Sequence, residues 1–597
     1  MEKYNSRNDV PEKYKWDLTD FYQNIDEFKN KLEDISNKID IIKTYQGCTK
    51  DPKKLLEFIE CNNEYESEIL NLFIYSKVLS DQDLSISENS AYYGQVSNLN
   101  TKYELLTNFF VPELLKLSDE EYNRLFEYES LKIYKEYLDD IYRFKGHQLT
   151  EKEEQIITEL TQNMSDYEQM ALVLINSNHD YGKIKYDSTE EELSITNYRK
   201  IIKKFKSDRQ KRKEIYEQLN SKINQYISMN ASLLNDFAKE NVSLAKIHNF
   251  ESPWEEYLFN TKLNNKVFSS LKEAAYEKKA ILNKYYDLIK KTQNISKIFP
   301  WDSVLELFET NKEYSIEETQ NIILEALKPL GDDYIKHLKK VFDDRCIDYC
   351  QYKGKCSGGY NISSDNKINS KILMSFNYDL QSVSTVAHES GHHVNHQYNM
   401  ENNIIVYRNT PTIPAEIASL TNECLLSYYL IKNGTKEQAL EGLSNIIKVF
   451  YYNFNDAIRE GYIEEEYYKY IQNNGILTKD YMGDLVQESY LKFFPINDID
   501  HPYQKDSWAT RFHYFTPFYL YPYSVCIAVA IYIAQRISNG DTEIRNKYID
   551  FLKTGSNMSI IDRVKILGID LENKEIYLNA MDEFEKLLDK FKTLINN

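Results

Sequence analysis

The stretch Val386-Ala387-His388-Glu389-Ser390-Gly391-His392 decides how this chain is read. On a helix, His388 and His392 stand one turn apart on a single face. Two imidazoles so placed can reach one Zn2+, which takes nitrogen and oxygen donors at about 2.0–2.2 Å. Glu389 follows the first histidine and is within reach of a water at the metal. The flanks also ask for a helix. Asp379 is a suitable N-cap. Leu380, Val383, Ala387, Gly391 and Val394 recur at spacings of three and four, an apolar stripe beside the histidines.

A four-letter pattern can arise by chance, and catalytic zinc needs a third protein ligand. A second helix signal follows, with Pro414 suited to a first helical turn and Glu416 two residues later. The 24 residues from His392 to Glu416 leave room for a helix end, a loop and a new helix. Two histidines and a glutamate leave one position open, as catalytic rather than structural zinc requires. Glu423 lies two turns beyond Glu416 and reads either as a group orienting a ligand histidine or as a solvated helix charge. His393 points about 100° away from His392. His396 continues the face of the pair, lining a cleft, supporting the ligands from behind or serving a surface role.

Amide hydrolysis passes through a tetrahedral oxyanion that side-chain donors can stabilise. The run Arg511-Phe512-His513-Tyr514-Phe515-Thr516-Pro517-Phe518-Tyr519-Leu520-Tyr521-Pro522-Tyr523 is dense in donors. Phenols are neutral at pH 7 and donate well. Tyr519 and Tyr523 would share a face in a helix, which Pro522 interrupts unless it sits near a helix start. The chain has 50 tyrosines, so aromatic core packing competes with the donor reading.

Composition narrows the class. Lys+Arg 73 against Asp+Glu 93 gives −20, which disfavours nucleic acid and anionic membrane surfaces as partners. Gly 17 and Pro 12 are few for 597 residues and argue against turn-dense all-β designs. The N-terminus has no apolar core of a secretory signal. The longest apolar run, Val525 to Ala534, is too short to span a bilayer and reads as a buried helix. Seven scattered cysteines read as free thiols in a reducing cytoplasm, and Cys346, Cys350 and Cys356 lack a zinc spacing. Gly358-Gly359 lacks the context of a phosphate-binding loop.

Elsewhere the periodicity is helical. Phe205 to Asn249 predicts one or two long helices, and Val267 to Leu288 keeps three-to-four spacing. The first ~200 residues read as helical hairpins. The exception is Lys353 to Asp379, where glycines precede a short strand over Ile372–Phe376. Asp187–Glu192 is a candidate boundary loop, dividing an N-terminal helical region (1–194) from a catalytic region (195–597).

Together these segments resemble oligoendopeptidase F, in the thimet-oligopeptidase-like group of zinc metallopeptidases. His388-Glu389-Ser390-Gly391-His392 matches that family's H-E-x-G-H. The segment Glu416 to Glu423 resembles the one supplying its third ligand, which maps to Glu416. Lys353 to Tyr360 with Phe376-Asn377-Tyr378 resembles the strand region before the zinc helix. His513 to Tyr523 resembles the C-terminal donor motif, and Trp16 to Tyr22 the family's opening, so the likeness spans nearly the whole chain. Two positions depart from it: Asn395 where the family often has histidine, and Val525-Cys526 in place of a Thr-Gly pair.

The resemblance implies a mainly α, two-lobed structure with a small β-sheet beside the zinc helix and a deep channel for short unfolded peptides. The expectation is a cytoplasmic metalloendopeptidase holding one Zn2+ on His388, His392 and Glu416. Glu389 acts as base, and His513, Tyr519 and Tyr523 as oxyanion donors. A helical zinc carboxypeptidase and a catalytically silent peptide-binding protein of the same fold are the alternatives. The sequence carries no signal for an oligomeric state.

Overall fold

The computed structural model describes residues 4–161, 166–176, 180–186, 189–303, 305–308, 310–364, 368–495 and 502–596. Helices dominate. Pro52–Gln82 (α1) starts where Asp51 accepts from the backbone amides of Lys53 and Lys54 and Pro52 occupies the first turn. It packs along Ser87–Thr107 (α2) as an antiparallel hairpin. The expected boundary loop is in part a strand: Lys183–Tyr186 (β1) pairs antiparallel with Thr189–Glu192 (β2), Tyr186 opposite Thr189. Residues 187 and 188 lie outside the described residues. The Phe205–Asn249 segment forms two helices, Arg209–Ile223 (α3) and Ile227–Ile247 (α4). Asn265–Lys278 (α5) follows.

The β element ahead of the histidine motif is a three-stranded sheet. Ile347–Asp348 (β3) runs parallel to Lys371–Leu373 (β5), and Tyr360–Ile362 (β4) pairs antiparallel with β5 on its other side. Strand β5 is shorter than the Ile372–Phe376 expectation because the ladder ends at Leu373. Leu380–Asn402 (α6) carries the motif, capped as expected by the Asp379 carboxylate, 2.8 Å from the Ser382 amide. Thr412–Asn433 (α7) carries Glu416, with Pro414 in its first turn. Lys436–Phe450 (α8) leads through a π-helical turn, Tyr451–Asp456, into Ala457–Gln472 (α9). Tyr521–Ser538 (α10) begins beside Pro522 and buries the apolar run from Val525, as the sequence predicts. Glu575–Asn596 (α11) is the last helix.

The chain groups into two compact units of interleaved segments. One comprises residues 1–151, 312–429 and 533–569, the other 152–311, 430–532 and 570–597. The grouping by compactness thus differs from a sequential pair of regions meeting at 194/195. The first unit has a core in which Phe28, Leu55, Leu72, Val78 and Val96 from the hairpin region pack together with Leu373 of β5. In the second, α8 and α5 both lie along α11, and Trp301, Ile202 and Tyr216 form a smaller cluster. All seven cysteines are free thiols. Among the described residues, no helix is long and apolar enough to cross a membrane.

Candidate metal centre and donor loop

The metal-type cluster is built by two helices of the first unit that touch at their smallest residues. A Cβ on Gly391 would lie 2.7 Å from the Ser419 Cα and 2.9 Å from the Ala418 carbonyl oxygen. Only glycine permits that approach, which explains why the motif carries one. Asn422 of α7 donates to the Ala387 carbonyl of α6 at 3.1 Å and accepts from the Tyr334 hydroxyl at 2.8 Å. The crossing brings His388, His392 and Glu416 together. The two Nε2 atoms are 3.2 Å apart, and the Glu416 Oε2 lies 3.5 Å from that of His388 and 4.0 Å from that of His392. A tetrahedral ion with bonds of about 2.0–2.1 Å sets its ligands about 3.3 Å from one another, so the three donors fit a single zinc-sized ion.

Each ligand is held from behind. Glu423 accepts from the His388 Nδ1 at 2.7 Å and from the Ser384 hydroxyl at 2.7 Å, and is buried. It is therefore a buried partner of His388 and not a solvated helix charge. The Ser419 hydroxyl is 3.1 Å from the Glu416 carboxylate, and His392 hydrogen-bonds the Ala415 backbone. Asn361 of β4 donates to the Glu389 backbone carbonyl at 3.2 Å, which ties the sheet to the motif helix. Lys355, fully buried, donates to the carbonyls of Asp348, Cys350 and Met374 at 2.8–3.0 Å and pairs with the Asp348 carboxylate at 2.7 Å, clasping the segments on both sides of the sheet.

The electrostatics suit cation binding and proton transfer. Burial, and then the His388 charge, draw His392 down to about 3, which leaves it neutral as a metal ligand must be. Burial opposes the charged form of His388, but the Glu423 hydrogen bond and charge outweigh it and raise His388 to about 9, so a cation bound there must displace its proton. A carboxylate behind an imidazole makes it a stronger donor to a cation. Burial pushes Glu389 up to about 7, against the pull of His388 and with support from Glu416 and Glu423. A carboxyl poised there can both take and return a proton near neutral pH.

His393 is fully buried and pairs through Nδ1 with the Ser370 hydroxyl at 2.6 Å, away from the ligand set. His396 is also buried, and its Nε2 finds no hydrogen-bond partner among the described residues, so it is not a surface group.

The donor candidates lie in the second unit. His513 stacks on Tyr519 with ring centroids 5.3 Å apart, and the Tyr519 and Tyr523 hydroxyls are 3.2 Å apart. The three line one cavity of about 300 Å³. Tyr519 sits before α10 rather than on it, so a turn, not a shared helical face, brings it to Tyr523. Burial and then the Arg511 charge hold His513 below its ordinary value, which keeps the ring neutral at pH 7. Tyr514 and Tyr521 of the same run are core residues, so the packing reading applies at those two positions.

The profile of the family described as Peptidase family M3 matches residues 203–583, and that described as Oligopeptidase F matches residues 113–179. The chain belongs to peptidase family M3. A plasmid-encoded oligoendopeptidase F of Lactococcus lactis subsp. cremoris is 27% identical over 98% of this chain and 99% of its own. A solved Chlamydophila abortus protein matches with a TM-score of 0.86 at 22% identity, covering 99% of this chain and 100% of its own. The oligoendopeptidase-F structure from Enterococcus faecium matches with a TM-score of 0.73 at 22% identity, over 96% and 99%. The fold is that of these structures, and this M3 member is a metallo-oligopeptidase.

Sequence reasoning missed the groups that hold the ligands and the donor loop. Ser384 and Asn361 are polar residues with nothing in their spacing to set them apart. Asp456, Glu460 and Glu464 did carry a signal: acids four apart along one helical stretch.

Proposed function

We propose that this peptidase is a zinc-dependent oligoendopeptidase that cuts internal bonds of short unfolded peptides in the cytoplasm. The observation that carries the reading is the convergence of His388, His392 and Glu416, with Glu423 behind His388. Two nitrogen donors and one oxygen donor leave a coordination position open. A zinc ion held there supplies Lewis acidity, polarising the scissile carbonyl and acidifying a water. Glu389 takes the proton of the attacking water and returns it to the leaving amine. His513 and Tyr523, with Tyr519 beside them, donate to the oxyanion as neutral groups. The net charge of −20 argues against nucleic acid as a partner. The boundary near 194 belongs to the same proposal, since the two matched family profiles fall on either side of it.

The test is cleavage of a short peptide read by mass spectrometry, before and after chelation and after zinc is restored. Internal cuts lost with the metal and regained with zinc are expected. Removal of single C-terminal residues would make the enzyme a carboxypeptidase instead. Zinc-loaded protein that binds peptides without cutting any would make it a silent peptide binder.

A further inference from the structure

The loop that carries the donors is fastened to one helix at three successive turns. Asp456, the last residue of the π-helical turn, and Glu460 and Glu464 of α9 are four residues apart and share a face of the continuous helical segment. Arg511 bonds Asp456 at 3.0 Å and Glu460 at 3.1 Å. The Tyr514 hydroxyl donates to Glu460, and the Phe518 amide donates to Glu464 at 2.9 Å. Arg459, buried on the same helix, pairs with both Asp456 and Glu460. Glu460 and Glu464 are 2% and 1% exposed, and burial holds Glu464 toward its neutral form. Two arginines, Arg459 and Arg511, thus face two carboxylates, Asp456 and Glu460.

The fastening points bracket the donors. His513 lies between Arg511 and Tyr514, and Tyr519 follows Phe518 directly. Phe518 has φ +58°, a left-handed conformation that costs a non-glycine residue roughly 1–2 kcal/mol. Its amide bond to Glu464 and its ring contacts with Trp254, Tyr257 and Tyr468 hold it there. Strain of this kind persists only where several neighbours over-determine it. A Cβ on Gly461 would enter the Tyr521 ring, so the helix also makes room for the residue after the loop. Turnover falls about 10²-fold when a reacting group is misplaced by 1 Å, so a loop carrying donors gains from such fastening.

We propose that Glu460 and Arg511 are positioning residues, which act on the reaction by fixing the His513–Tyr519–Tyr523 set. The proposal rests on the donor role given to that set under Proposed function. In the full-length enzyme, Glu460→Gln and Arg511→Met are expected to lower kcat about 10- to 100-fold. KM should stay within about twofold, with zinc content unchanged. Arg511→Lys, which restores a cation without the two-pronged geometry, is expected to recover part of the loss. Tyr514→Phe removes a single hydroxyl from Glu460 and serves if the charge variants do not fold. It should lower kcat several-fold at constant KM. A variant with unchanged kcat, whatever its thermal stability, would overturn the proposal, as would a rise in KM alone, which would mean that Arg511 touches substrate. Tyr523→Phe separates this failure from that of the donor reading. If Tyr523→Phe lowers kcat and Glu460→Gln does not, only the positioning role fails. If neither lowers it, the donor role fails first.

Discussion

The metal-type cluster and the donor loop are both fixed by buried hydrogen bonds, yet their fixing differs in kind. In the cluster, His388 and His392 share one helix and Glu416 sits on the helix packed against it, with Gly391 setting the separation. In the loop, His513 sits on a single 3-10 turn, Phe512–Phe515, and Tyr519 on no regular element, and their neighbours Arg511, Tyr514 and Phe518 are tied to acids 54 and 55 residues upstream. The first arrangement depends on local helical geometry, the second on long-range ion pairs. The cluster should therefore respond to mutation through metal affinity, and the loop through turnover at constant metal.

The largest break is expected at Glu389, which belongs to the cluster's helix but ligates nothing. Glu389→Gln should lower kcat by about 10³-fold or more while zinc content stays full, since a positioned acid–base group contributes about 10²–10⁴-fold. Metal analysis with steady-state kinetics checks it, and wild-type turnover in the zinc-loaded variant would remove Glu389 from the mechanism. Next comes Glu423→Gln, which keeps the shape but removes the charge behind His388. Zinc affinity should fall about 10- to 100-fold, measured by competition with a chelator. An unchanged affinity would return Glu423 to a packing role.

The smallest effect belongs to the loop side and concerns stability. Burial raises Glu464 well above its ordinary value, so its folded form favours the proton. Stability from such a group is fully present below the unfolded value near 4.5 and is lost as pH rises toward the folded value. Glu464→Gln keeps an acceptor for the Phe518 amide and has no proton to lose. Its stability relative to wild type should therefore grow between about pH 5 and pH 8, by up to about 1.4 kcal/mol per unit. Denaturant unfolding at both pH values measures the difference, and a gap independent of pH would contradict the assignment.

The same contrast explains what the sequence disclosed. The spacing of His388 and His392, the Asp379 cap and Pro414 ahead of Glu416 are local signals, and helical periodicity is enough to place them. Glu423 was legible only as one of two readings, because its bond to His388 depends on how two helices cross. The hairpin at 183–192 was hidden because its second strand, Thr189-Glu190-Glu191-Glu192, is acidic and reads as a loop; β1 meets it with Lys183 and Lys185, and Lys183 lies within 3.9 Å of Glu190 and Glu192. Tyr519 and Tyr523 would share a face only in a helix, and a turn at Pro517–Phe518 produces the same proximity without one. The acids of α9 form their partnerships across more than fifty residues, and no periodicity in one chain encodes that.

The central claim is that one region holds the metal and the other serves the reaction without holding it. Zinc content and kcat, measured on the same preparations of wild type, Glu416→Ala and Tyr523→Phe, test it most directly. Glu416→Ala is expected to lose zinc and turnover together. Tyr523→Phe should keep its zinc while kcat falls about 10²- to 10³-fold, the usual cost of one oxyanion donor. Zinc bound at wild-type affinity by Glu416→Ala, or full turnover in Tyr523→Phe, would contradict the account.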